Sequence, residues 1–135
     1  VCGVTVLINL MSKTGGLDMF IKAMASVSSP GTLTFVATLV PGVVSAYSSS
    51  TGVVLPAFLP LVPGLVTEVG GNLTAVFSGV CLGAFLVDAS PLSTLGALIL
   101  GAATEEMDKR KLFNQLMVWG LSMSVVGAAL AWAIF

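Results

Sequence analysis

Polar interruptions along this chain are few, and the apolar stretches between them are unequal in length. Leu33 to Tyr47 is mostly apolar, Ser48-Ser49-Ser50-Thr51-Gly52 interrupts it, and Val53 to Val66 is apolar again. Each arm is about 15 residues, or about 22 Å at 1.5 Å per residue, so neither spans a hydrocarbon layer of about 30 Å alone. Two half-length arms around a polar tip predict a re-entrant hairpin over residues 31–67, entering and leaving on one side. Pro56, Pro60 and Pro63 remove backbone donors from the second arm. That arm is therefore expected to be irregular and buried in protein. Leu73 to Val87 is a further apolar arm, with Gly79 and Gly83 spaced as a small-residue packing face. After Asp88-Ala89-Ser90-Pro91-Leu92-Ser93-Thr94, a shorter arm runs from Leu95 to about Ala103. This pair reads as one discontinuous transmembrane helix within residues 68–104.

Only the last stretch, residues 112–135, has the length of a complete span. Its Gly120, Gly127, Ala128, Ala129 and Ala131 allow close helix approach. Residues 1–30 read as the end of an earlier span followed by an amphipathic interfacial helix from Ser12 to Ser29, with a turn at Ser28-Ser29-Pro30-Gly31. Residues 105–111 form the charged loop. The fold class expected is an all-α integral membrane protein built from a re-entrant helical hairpin, a discontinuous transmembrane helix and a terminal transmembrane helix.

Composition agrees with this pattern. Of 135 residues, 56% are hydrophobic and 8% charged, and the mean hydropathy is +1.08. A soluble surface needs roughly 25% charged residues. A net charge of −1 and a single basic run of Lys109, Arg110 and Lys111 argue against nucleic-acid binding. The absence of histidine excludes Ser-His-Asp and Cys-His catalysis and histidine-ligated metals within the chain. No base partner stands near the serines, so no catalytic residue and no enzyme activity are expected. Cys2 and Cys81 lie among apolar residues and read as core thiols. The first residues lack the basic region and cleavage site of a signal peptide. The chain opens without Met inside an apolar run, which reads as the C-terminal part of something longer. The basic run places residues 105–111 in the cytoplasm and the C-terminus outside, in a multi-pass protein of the plasma membrane. The hairpin then opens to the outside.

The interruptions are where chemistry is expected. Thr51 and Gly52 precede the second hairpin arm, and Ser93 and Thr94 precede the last short arm. Both are helix starts with unpaired N–H groups and positive dipole ends. Facing one cavity, they form a site for a small anion without Lys or Arg. The opposite helix ends, at Ser45 and Ser48 and at Asp88 and Ala89, present carbonyl, hydroxyl and carboxylate oxygens suited to Na⁺. Asp88 is an acid in an apolar context, which is costly in a membrane and points to cation ligation or proton carriage.

Ser49-Ser50-Thr51 followed by GVVLPAFLPLV resembles the second Ser-Asn-Thr hairpin tip of the divalent anion:sodium symporters, in the ion transporter superfamily. Ala89-Ser90-Pro91 is similar to that family's Ala-Thr-Pro segment in the broken helix, and the opening GVTVLINLMSKTGGLDMFIKAM to the span and arm helix before the hairpin. Within the family, the MatC-type malonate and C4-dicarboxylate carriers are the most similar. The resemblance implies the second of two inverted repeats, an N-terminal repeat elsewhere in the protein, a homodimer of the full-length protein, and elevator-like transport. It also implies substrate contacts at Ser49, Ser50, Thr51, Ser90 and Pro91, and sodium positions at Ser45, Ser48, Ser50 and Ala89. Ser50 stands where the family has Asn, and Pro91 where it has two prolines; with Asp88 alongside, H⁺ remains open beside Na⁺ as the coupling ion. The partners expected are thus the bilayer, a small dicarboxylate such as malonate, and the coupling ion, with no resident cofactor. The alternatives are a cation/proton antiporter or oxyanion efflux permease of the same superfamily, and a non-transporting structural subunit.

Overall fold

The computed structural model describes residues 2–104 and 107–135. Glu105 and Glu106, expected in the charged loop, lie outside the described residues. Among the described residues the structure is all-helical, with no strand. The first two helices are α1 (Cys2–Lys13) and α2 (Gly16–Val27). The turn between them falls at Thr14 and Gly15, where Gly15 takes φ 75°, a left-handed conformation that glycine adopts without strain. The helix expected from Ser12 therefore starts at Gly16.

Helix α3 spans Leu33–Tyr47, as the apolar pattern predicts. Pro41 lies inside it without ending it, and frees the carbonyl one turn earlier. The polar tip is shorter than expected. Only Ser48 and Ser49 are extended, and Ser50–Val54 already forms a π turn. The Ser49 hydroxyl oxygen accepts from Gly52 N at 3.2 Å, and its carbonyl accepts from the Val53 and Val54 N–H groups, so Ser49 is the cap and Thr51 and Gly52 lie inside the first turn. The helix continues through α4 (Leu55–Phe58), a 3₁₀ turn (Leu59–Leu61) and α5 (Val62–Val69). The expected irregularity is present: Pro56 follows the wide π turn and Pro60 sits in the tight 3₁₀ turn, each avoiding a clash with the carbonyl four residues back. The length of this arm corrects the sequence estimate. Ser50–Val69 runs unbroken for 20 residues and is long and apolar enough to cross a membrane. It is also not wholly enclosed: Val54, Phe58, Leu61, Val62 and Leu65 are buried, whereas Thr51, Val53, Pro60, Pro63 and Thr67 are exposed.

After a turn through Gly70 and Gly71, α6 spans Leu73–Leu86, and α7 spans Thr94–Ala102 beyond the second interruption. Helix α8 runs Lys109–Ile134, 26 residues, the second helix long and apolar enough to cross a membrane. Its start also differs from the expected Leu112. The Asp108 carboxylate accepts from the N–H groups of Arg110 at 3.2 Å and Lys111 at 3.4 Å, capping the helix and drawing the three basic residues into its first turn.

Helices α3, α6 and α8 pack on one another most closely. Glycine makes this possible. A methyl group on Gly79 would stand 2.5 Å from the Thr38 hydroxyl, and one on Gly83 would strike the Thr38 carbonyl. One on Gly42 would stand 2.6 Å from the Ser124 hydroxyl, so all three helices meet at this level. A second layer forms where α2 covers the irregular arm: Phe20 meets Phe58 edge to face at 5.7 Å, and Met24 joins the core with Leu33, Val62, Leu65, Val76 and Val80.

Candidate functional site

The packing of α3 on α6 brings the two polar interruptions together. Ser50, 1% exposed at the start of the second arm, donates its hydroxyl to Asp88 Oδ1 at 2.7 Å. Ser90, fully buried, donates to the carbonyl of Ala46 at 2.7 Å. Ser45 donates to the carbonyl of Ala84 at 2.9 Å. Each bond ties the last turn of α3 or the tip beyond it to the end of α6 or its break. These acceptors are understandable, because the last carbonyls of a helix have no partner within it.

The break itself is folded tightly. Ser90 N and Ser93 N donate to the carbonyls of Val87 and Ser90 at 3.0 Å each. The Ser93 hydroxyl donates to the carbonyls of Asp88 and Ser90 and accepts from Gly96 N at 3.3 Å, so it caps α7 as expected. Gly96 permits this turn, since a methyl group there would lie 2.7 Å from Pro91 Cα and closer still to the Ser90 carbonyl. Pro91 is buried, Ala89 half-buried, and Thr94 exposed at the first residue of α7.

The residues singled out from sequence thus divide by environment. Ser50, Asp88, Ser93 and Ser90 form one bonded cluster, and Ser45 bonds separately to the Ala84 carbonyl; Ser49, Thr51 and Thr94 sit at the rims of the two helix starts, half-buried or exposed. The Ser48 hydroxyl is buried at the C-terminal end of α3 with no hydrogen-bond partner. An unpaired buried hydroxyl costs about 1–3 kcal/mol, which a bound cation or solute group would remove. Ser50 Oγ and the Asp88 carboxylate, joined at 2.7 Å, are both hard oxygens. Among the described residues no three His, Cys, Asp or Glu side chains gather to hold a metal.

Three participants escape a sequence reading. The carbonyls of Ala46 and Ala84 receive the hydroxyls of Ser90 and Ser45, yet alanine carries no chemical signal in a sequence. Ser124 of α8 donates to the carbonyl of Leu39 at 3.4 Å, where Pro41-Gly42 marks the level. No known family, curated protein or solved structure matches the chain.

Proposed function

We propose that the chain is one repeat of a secondary transporter, in the manner of the divalent anion:sodium symporters it resembles, and that it moves a small organic anion coupled to Na⁺ or H⁺. In this reading α3 and the Ser50–Val69 helix are the arms of a re-entrant hairpin with its tip at Ser48-Ser49. Helices α6 and α7 are the halves of a discontinuous transmembrane helix, and α8 is the terminal span. The chain sits in the plasma membrane with Lys109–Lys111 cytoplasmic and the C-terminus outside. A second, inverted repeat completes the site, and the whole protein is a homodimer working by an elevator-like motion.

The observation that carries the proposal is the Ser50–Asp88 bond at 2.7 Å. It joins the start of one apolar helix to the break after another, 38 residues away, with a carboxylate between them. Polar groups and an acid cluster inside apolar packing at a cost, and such clusters in membrane proteins mark ion and solute paths. The two helix starts add positive dipole ends for an anion. The unpartnered Ser48 hydroxyl supplies a further oxygen.

The test is counterflow of labelled lactate, malonate and succinate by the full protein in proteoliposomes, under Na⁺ and pH gradients in turn. Saturable exchange of at least one supports the reading, and no exchange of any under either gradient refutes it. Asp88 also favours a cation antiporter of the same superfamily, for which Na⁺/H⁺ exchange without organic solute is the distinguishing result. A non-transporting structural role draws on the hydroxyls of Ser45, Ser90 and Ser93, which already bond to the chain's own carbonyls. That role predicts no flux of either kind.

A further inference from the structure

The irregular arm leaves a void behind it. A cavity of about 150 Å³ lies between α1, α2 and the first half of the Ser50–Val69 helix. Leu7, Met11 and Phe20 line it from one side, and Val53, Ala57 and Phe58 from the other. Its position has a cause. Val53 belongs to the π turn, Ala57 and Phe58 to the short α4, and Pro60 to the 3₁₀ turn that follows. Helices pack by fitting the side-chain ridges of one into the grooves of another. Where the arm leaves α geometry those ridges are interrupted, and Ala57 brings only a methyl group to the gap.

The lining selects the occupant. All nine side chains around the cavity are apolar. A cavity of about this size and lining stays dry and admits a hydrocarbon of about six carbons. It is not sealed, because Leu7 and Val53 on its wall are 55% and 38% exposed. A flexible chain can therefore enter and continue outward, with the adaptable Met11 as part of the wall. This inference rests on the membrane reading of Ser50–Val69 and α8, and not on transport. In a membrane the opening meets bilayer hydrocarbon, and the hydrocarbon at hand is the acyl chain of a lipid.

We propose that this cavity is a lipid site: an acyl chain of one membrane phospholipid lies between α1, α2 and the arm and fastens the two helices onto it. The chain supplies the van der Waals contacts that the irregular arm leaves unmade. The lipid is thus part of the packing behind the π turn.

The test is native mass spectrometry of the full protein released from micelles with and without dioleoylphosphatidylcholine, together with its unfolding rate in the same micelles. Wild type should retain one phospholipid per copy, and added phospholipid should slow its unfolding at least several-fold. Ala57→Leu fills the cavity, so it should retain phospholipid at least several-fold less and unfold at a rate that phospholipid no longer changes. Leu7→Trp, which obstructs the opening from an exposed position, carries the same expectation should Ala57→Leu fail to fold. Ala102→Leu, at the exposed end of α7, should behave as wild type. Equal retention by wild type and the cavity variants puts the lipid elsewhere, or another helix of the full protein in the cavity, and overturns the proposal. No retained phospholipid in wild type overturns it too. Either result leaves the membrane reading standing, whereas wild type that stays dissolved and monodisperse without detergent overturns both.

Discussion

Gly83 offers the sharpest quantitative check on how the two interruptions are brought together. A methyl group at this position would lie 3.0 Å from the carbonyl carbon of Thr38 and 3.2 Å from its Cα, and nearer still to the carbonyl oxygen. Carbon atoms rest at about 3.5–4.0 Å, so α3 and α6 must part by about 1 Å or both backbones must bend. Overpacking costs about 1–3 kcal/mol, and a gap of that size forfeits up to about half of each neighbouring contact. The better helix propensity of alanine returns about 1 kcal/mol. The net expectation for Gly83→Ala is a loss of up to about 2 kcal/mol. Gly101 in α7 is the control, because nothing lies within 4 Å of a methyl group there. Gly101→Ala should be neutral or slightly stabilising. The assay is reversible unfolding in mixed micelles, followed by circular dichroism. Equal stability of the two variants would refute the α3–α6 contact and, with it, the junction it creates.

Other expectations follow from the same geometry. Gly79→Ala should also destabilise, but its methyl group meets the Thr38 hydroxyl at 2.5 Å, a side chain that can be removed. Thr38→Ala should therefore restore about 1–2 kcal/mol to Gly79→Ala and nothing to Gly83→Ala, measured as a double-mutant cycle. Ser90→Ala should cost about 1–2 kcal/mol in the same unfolding assay, because the Ala46 carbonyl loses its donor at a buried helix end. Trp132→Phe removes the indole bond to the Gly31 carbonyl at 2.8 Å. It should leave global stability within about 1 kcal/mol while speeding amide exchange over residues 28–33.

How much of this was legible beforehand depended on what each feature is made of. The bounds of α3 and of the break after α6 follow from side-chain polarity, and both lie within a residue or two of where the apolar runs end. The length of the polar break after α3 is not legible in the sequence, because polarity and helicity part company there. Ser50, Thr51 and Gly52 are polar or small yet lie in a π turn, since Ser49 supplies the cap and Pro56 favours a wider turn before it. The start of α8 departs from the charge pattern for a similar reason: charge marks water contact, but Asp108 caps the helix and lets the basic residues join it. The pairing of Ser50 with Asp88 spans 38 residues and rests on the Gly79/Gly83 face, a spacing visible in the sequence whose partner helix was not. The carbonyls of Ala46 and Ala84 have no sequence signature at all.

The central claim is that the two helix starts face a common solute path within the membrane. It is tested most directly by placing single cysteines at Thr51 and at Thr94, in a full protein whose Cys2 and Cys81 have been replaced. Each cysteine is then labelled with a membrane-impermeant maleimide in proteoliposomes, with and without saturating lactate or succinate. The account predicts that both positions react from water and that one of the anions slows both reactions at least several-fold. Labelling at either position that proceeds at the same rate with and without either anion, or no labelling at all, would contradict it.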